Sequence, residues 1–328
     1  VTEALATMTW WGCASVELAF GERRLLFDPY IYPDEPRARF ICVTHNDYDH
    51  CHEPTLRPLT QGGAFERLIV PRTCLVKSKL DSPTHGPSED LAFVDADKLT
   101  VMYPKYTREP DVRHPGPVEL ALDGFTVEGV DSSERPQQFR LDPDAVWPVG
   151  TGPYVGDARF PNLGYVVTES ETGLSFYHPG DLGEVFDAHR SLRFRIDVMF
   201  FPLVKLGGIE ITIVDTIRPR YIVPIHYRLD TPNFPIPLHT EGLELTAIDL
   251  GAGRPYPGVG AAAWRDETHV LMEAHWYPTP IPPLERIEGI TSELEELGSK
   301  VLILEAGEPH DLLRLRRGCE TGKSATGG

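Results

Sequence analysis

The sequence predicts an α/β protein whose β-sheets are covered by helices. Three observations carry this: short apolar runs rich in β-branched and aromatic residues recur along the chain, helix-like segments lie between several of them, and 41% hydrophobic content over 328 residues is enough for a sizeable core. The first runs are "SVELAF" (15–20), "RRLLFD" (23–28) after the turn residues Gly21-Glu22, and "RFICVTH" (39–45), read as a β-meander leading into a site. From Pro54, "PTLRPL" reads as a short helix with proline at its start, and "RLIVP" (67–71) as a further buried strand. Later strands are expected at "FTVEGV" (125–130), "LGYVVTES" (163–170), "GLSFYHPGD" (173–181), "DVMFFPL" (197–203), "YIVPIH" (221–226) and "KVLILEAGE" (300–308). The segment "ITSELEELGS" is helical by its glutamate spacing, with Gly298 as its C-terminal stop.

Residues 1–317 read as one domain. Stretches 104–117, 134–161 and 228–286, rich in Pro, Asp and Gly, read as loop insertions, and residues 318–328 as a disordered tail. "WYPTPIPPLERI" (276–287) holds too many prolines for a helix and reads as an extended strap or partner-binding arm. No run is long and apolar enough for a membrane span, and the first residues lack the basic-then-apolar pattern of a secretory signal, so the cytoplasm is the default location. Five cysteines without CxxC spacing argue for reduced thiols rather than a disulfide scaffold or zinc ribbon. A formal net charge of −18 repels phosphate backbones, which argues against nucleic acid and for a small-molecule substrate; a homo-oligomer is left open.

The densest chemistry lies in "THNDYDHCH" (44–52), with three histidines and two aspartates directly after an apolar strand. A tight loop at a strand end can aim several side chains at one point while the strand holds them rigid. His45, Asp47, Asp49 and His50 offer imidazole nitrogens and carboxylate oxygens, the usual protein ligands of Zn, Mn and Fe.

Here the sequence resembles the metallo-β-lactamase superfamily, whose HxHxDH motif follows a strand. "WWGCASVEL" and "LLFDPY" resemble the opening hairpin of its branch related to ascorbate-phosphate lactonase and N-acylphosphatidylethanolamine phospholipase D, "FYHPGD" its later GD element, "IVPIHY" its final histidine strand and "KVLILEAGE" its closing strand. The resemblance implies an αββα sandwich, two β-sheets flanked by helices, with two metal ions at one edge. It assigns His45, Asp47 and Glu134 to one ion, Asp49, His50 and His226 to the other, and Asp181 as the bridge. Two positions depart from the family pattern: Asp47 replaces the second motif histidine, and Glu134 stands where the isolated middle histidine is usual, with Asp131 the competing candidate. Four carboxylates would neutralise two divalent cations, and hard oxygen donors shift preference from zinc toward manganese or iron.

The implied activity is hydrolysis of a small ester, lactone or phosphodiester by a metal-bound water or hydroxide, with Asp49 and Asp181 catalytic and Asp49 both ligand and proton acceptor. The carboxylate substitutions also resemble the superfamily's di-iron members, the flavodiiron proteins and a di-iron β-hydroxylase. A di-iron oxygenase served by an external reductant is therefore the alternative, and an inactive metal-binding scaffold a third. No flavodoxin-like module is recognisable after the lactamase-like region, which argues against a reductase with its own flavin. Lys205 and Arg228 are candidates to contact an anionic substrate group, the alternative for each being simple solvent exposure. His178 is expected to pack or to orient Asp181 through a hydrogen bond, while His52 and Cys51 read as structural.

Overall fold

The computed structural model describes residues 6–30, 37–46, 50–75, 91–108, 110–132, 162–182, 184–203, 209–226 and 285–315, with three short strands within 235–271. The first sheet begins with antiparallel hairpins: β1 (Ala6–Gly12), β2 (Ser15–Phe20) and β3 (Arg23–Phe27). The chain then crosses over into β4 (Phe40–Cys42), α1 (Glu53–Gln61), β5 (Arg67–Pro71) and β6 (Leu99–Met102). Strands β3 to β6 all run parallel, so the expected meander stops at β3. The physical reason is double-sided burial: Phe40, Ile41 and Cys42 are all buried, as in a parallel strand covered on both faces rather than a hairpin strand facing water.

The second sheet holds β7 (Glu119–Leu122), β8 (Phe125–Asp131), β9 (Leu163–Glu169), β10 (Ser175–His178) and β11 (Val198–Pro202), followed by α2 (Ile209–Ile217) and β12 (Tyr221–Ile225). A separate three-stranded sheet of β13 (Pro235–Pro237), β14 (Ala263–Asp266) and β15 (His269–Leu271) lies within 228–286, so that segment is not solely loop. Then come α3 (Glu285–Glu296), β16 (Lys300–Val301) and β17 (His310–Asp311). Residues 285–287 of the expected strap are the start of α3, while 276–284 lie outside the described residues, and the strand expected over "KVLILEAGE" is the two residues of β16. Gly298 stops α3 with φ 88°, as glycine allows. Segment 134–161 and the tail 318–328 lie outside the described residues.

The strand order is β17-β1-β2-β3-β4-β5-β6 in one large sheet and β16-β12-β11-β10-β9-β8-β7 in the other. Alternation along the strands divides the core. Leu25, Phe27, Phe40, Cys42 and Ile69 point between the sheets, where Phe27 meets Phe200 at 6.1 Å and Phe20 meets Phe125 edge-on at 5.8 Å. Leu26, Ile41, Val43, Leu68 and Val70 point outward and are covered by Leu56 and Leu59 of α1. On the other side α2 and α3 contribute Ile213, Val214, Ile217 and Leu294 to the core. Each such fully buried Leu, Ile or Phe is worth about 1.5–3 kcal/mol over exposure. No helix among the described residues is long and apolar enough to cross a membrane.

This topology places the site. The C-terminal ends of the parallel strands β3, β4, β10, β11 and β12 fall at one edge, and the β1–β2 turn joins them because Val16 pairs with Phe27. Four hydrogen bonds tie the sheets there: Tyr165 Oη to Val43 O (2.8 Å), Leu163 N to Thr44 O (2.9 Å), His226 N to Cys13 O (2.8 Å) and His178 Nε2 to Ala14 O (2.9 Å).

Candidate metal centre

Asp28, the residue after β3, is fully buried and anchors the site. Its Oδ1 accepts the Thr44 backbone N–H (2.7 Å), and its Oδ2 accepts the Thr44 hydroxyl (2.8 Å) and faces His50 Nδ1 at 2.7 Å. Thr44 Oγ1 in turn lies 2.9 Å from His45 Nδ1. Proton counting fixes the tautomers. A carboxylate can only accept, so the Thr44 hydroxyl proton goes to Asp28, His45 Nδ1–H donates to Thr44, and His50 Nδ1–H donates to Asp28. Both Nε2 lone pairs are then left as donors to a cation. Burial pushes the Asp28 carboxyl up, but the adjacent His50, aided by His178 and His45, outweighs it and holds the group below its ordinary value.

His45, His50 and Asp181 are all buried, and one donor atom from each lies within 4.8 Å of the others. His50 Nε2 is 3.2 Å from Asp181 Oδ1, and His226 Nε2 is 3.3 Å from His50 Nε2 and 3.6 Å from the same oxygen. Burial raises the Asp181 pKa, yet His50 and His226 outweigh it and keep the group well below the carboxylate range. His226 follows β12 with φ 61°, a left-handed conformation uncommon for a side-chain-bearing residue, held by its N–H bond to Cys13. Gly180 (φ 62°) lets the Asp181 turn sit against Thr44: a Cβ there would lie 2.8 Å from Thr44 Cβ and Oγ1.

Of the residues expected from sequence, the structure thus gathers His45, His50, Asp181 and His226 around one point. Asp47, Asp49, Glu134, Lys205 and Arg228 lie outside the described residues. Asp131, the competing middle ligand, is fully buried but bound twice by Arg108, with Nε to Oδ2 at 3.2 Å and Nη2 to Oδ1 at 3.4 Å. The hydroxyl of Ser132, two residues before Glu134, donates to the carbonyl of Pro179, so β8 ends beside the Asp181 turn.

Of the two roles expected for His178, packing is the one seen: Nε2 donates to Ala14 O, Nδ1 accepts the Gly180 N–H at 3.2 Å, and the ring stacks on Phe27. It positions the turn through backbone because it is fully buried beneath that turn. His52 is structural as expected, with Nδ1 2.7 Å from Thr55 Oγ1 at the start of α1 and its ring edge-on to Tyr30. Cys51 is buried in the core beneath α1. Sequence reasoning missed Asp28, Thr44 and the β1–β2 turn. The available signal was an aspartate ending "LLFD" where the next parallel strand enters the histidine motif.

A family model described as a beta-lactamase superfamily domain matches residues 7–226, more than half of the chain. The chain belongs to the beta-lactamase superfamily. A UPF0173 protein of Pyrococcus abyssi is 25% identical over 230 residues, which span 67% of this chain and 82% of that relative. Among solved structures, Igni18, a metallo hydrolase from Ignicoccus hospitalis, aligns with a TM-score of 0.50 at 13% identity, covering 93% of this superfamily member and 97% of Igni18. An isothiocyanate hydrolase from Delia radicum gut bacteria aligns with a TM-score of 0.51 at 14% identity, covering 93% and 98%. CmlA, a diiron β-hydroxylase from Streptomyces venezuelae, gives 0.53 at 14% identity, with 95% of this chain matching 55% of CmlA. These likenesses establish the shared metallo-β-lactamase sandwich.

Proposed function

We propose that the protein is a dinuclear metal-dependent hydrolase acting on a small ester, lactone or phosphodiester, with residues 1–317 forming the domain that carries the site. The observation that carries the reading is the buried cluster in which His50 Nε2 lies 3.3 Å from His226 Nε2 and 3.2 Å from Asp181 Oδ1, its other nitrogen fixed by Asp28. The donor set suits a divalent cation: imidazole nitrogens and a carboxylate oxygen, with tautomers set from behind. His45, Asp47 and Glu134 would hold one ion, Asp49, His50 and His226 the other, and Asp181 would lie between them. When bound, two ions of Mn, Fe or Zn would supply Lewis acidity toward a carbonyl or phosphoryl oxygen and lower the pKa of a water molecule. Asp49 accepts the proton of the attacking water, and Lys205 and Arg228 pair with an anionic part of the substrate.

The test is elemental analysis of protein purified without added metal, followed by turnover of a chromogenic phosphodiester, ester and lactone. Two ions per chain are expected, and Asp181→Ala should lose at least one of them and nearly all turnover. An Asp181→Ala protein that keeps both ions and full activity overturns the reading. The carboxylates at positions 47 and 134, together with the likeness to CmlA, favour a second reading as a di-iron oxygenase using an external reductant. Iron with an oxo-bridge absorption band and dioxygen uptake would select it. Bound metal with neither activity would mark a scaffold.

A further inference from the structure

The turn between β1 and β2 brings a thiol to the same cluster. Cys13 is fully buried, and its Sγ lies 3.7 Å from His226 Nε2. That nitrogen is the one 3.3 Å from His50 Nε2 and 3.6 Å from Asp181 Oδ1. Cys13 Sγ therefore meets, through His226 Nε2, the donor atoms of His50 and Asp181. The contact distances can be compared with those of donors on one cation. With metal–nitrogen and metal–oxygen bonds of about 2.0–2.1 Å and metal–sulfur of about 2.3 Å, tetrahedral geometry sets nitrogen and oxygen donors about 3.3–3.4 Å apart and nitrogen and sulfur about 3.6 Å apart. The observed 3.3 Å between nitrogens, 3.2 and 3.6 Å from nitrogen to oxygen, and 3.7 Å from nitrogen to sulfur follow that pattern.

Two further observations point the same way. With its Nδ1 turned to Asp28, His50 directs Nε2 at the Asp181 carboxylate oxygen, 3.2 Å away. A cation at that place would take the Nε2 lone pair and the carboxylate oxygen together. Cys13 also has φ 49°, a left-handed conformation that is strained for a residue with a Cβ and that glycine adopts freely. The conformation is locked by its own carbonyl, which accepts Trp10 Nε1–H at 2.9 Å and His226 N–H at 2.8 Å. A side chain kept at such a position is a pointer to a role for it.

We propose that Cys13 is a thiolate ligand of the cation held by His50, His226 and Asp181, which makes that subsite selective for a thiophilic divalent cation such as zinc. The inference rests on the metal-centre reading above. On binding, the thiol gives its proton to solvent and the sulfur lone pair to the cation, with no change of oxidation state. Soft thiolate at this subsite, against the hard carboxylates expected at the His45 side, makes the two positions chemically unlike.

The test strips full-length protein with a chelator and titrates it with cobalt(II), whose thiolate complexes show a near-ultraviolet sulfur-to-metal charge-transfer band. Wild type, Cys13→Ser and Cys13→Gly are compared. Glycine suits the left-handed turn and should leave the fold intact, which circular dichroism checks. The wild type should show the band and both variants lose it, with zinc affinity at one position weakened by at least about tenfold, the lower bound for losing even a supporting group. Wild type that binds cobalt without the band, or a band that survives in Cys13→Ser, overturns the assignment of Cys13 and leaves the metal centre standing. Wild type that binds no cobalt by elemental analysis overturns both.

Discussion

Asp28 governs two histidines with one carboxylate, so its replacement by an isostere should do more than remove a charge. In Asp28→Asn the side-chain oxygen would stay on the Thr44 N–H, leaving the amide NH2 toward the Thr44 hydroxyl and His50 Nδ1. That nitrogen would then have to accept, moving the His50 proton to Nε2 and converting a cation ligand into a donor. Metal affinity is expected to fall about 10–100-fold with the fold retained. Isothermal titration of apo protein with zinc checks this, and an unchanged affinity would show that Asp28 does not set the tautomer. The proposed ligand histidines were legible because strand-end His45 and His50 sit in a short dense motif and His226 closes an apolar strand. Asp28 was not, because nothing local separates a buried acceptor from the many aspartates that merely end strands. Cys13 was equally silent: only the return of β12 to the β1–β2 turn gives it a neighbour.

At the level of elements, the strands were legible wherever both faces are apolar, as in β5, β9, β11 and β12, since the run itself announces burial. Pairing direction was not, because a three-residue strand such as β4 reads the same in a hairpin or a crossover. The short 3₁₀ segment Asp187–Leu192 shows what an element hides from sequence. Its His189, unremarkable by spacing, is fully buried, accepts the Phe186 N–H at 3.2 Å and lies 3.3 Å from Tyr177 Oη on β10. Burial, with the Arg108 charge adding to it, pushes this imidazole down to about 4. The unfolded chain takes up that proton near pH 6.5 while the folded one does not until about pH 4. The contribution to stability is therefore complete above pH 6.5 and is lost as pH falls toward 4, a span of about 3 kcal/mol. Urea denaturation of wild type and His189→Asn from pH 7 to pH 4 should show the acid loss reduced by about that amount in the variant; parallel pH profiles would mean that His189 is already charged when folded.

At the scale of the whole molecule, the donors come from both sheets. His45 and His50 follow β4 of the first, while Asp181 and His226 follow β10 and β12 of the second. A cation shared by them would be a clasp across the sandwich, added to the four hydrogen bonds that already cross that edge. It would also offset local negative charge in a chain that carries −18 overall. Because such a cation binds the folded chain and finds no assembled site in the unfolded one, occupancy stabilises the fold by about 4 kcal/mol when free metal exceeds its dissociation constant a thousandfold. For a chain of this length, that corresponds to a melting temperature higher by about 6 °C. Differential scanning calorimetry should show the fall on chelation and the recovery when zinc or manganese is returned. Asp181→Ala should melt at nearly the same temperature with and without chelator, since the clasp is already open. A wild-type melt that does not move when elemental analysis shows the metal gone would mean that the hydrogen bonds alone hold the sheets together.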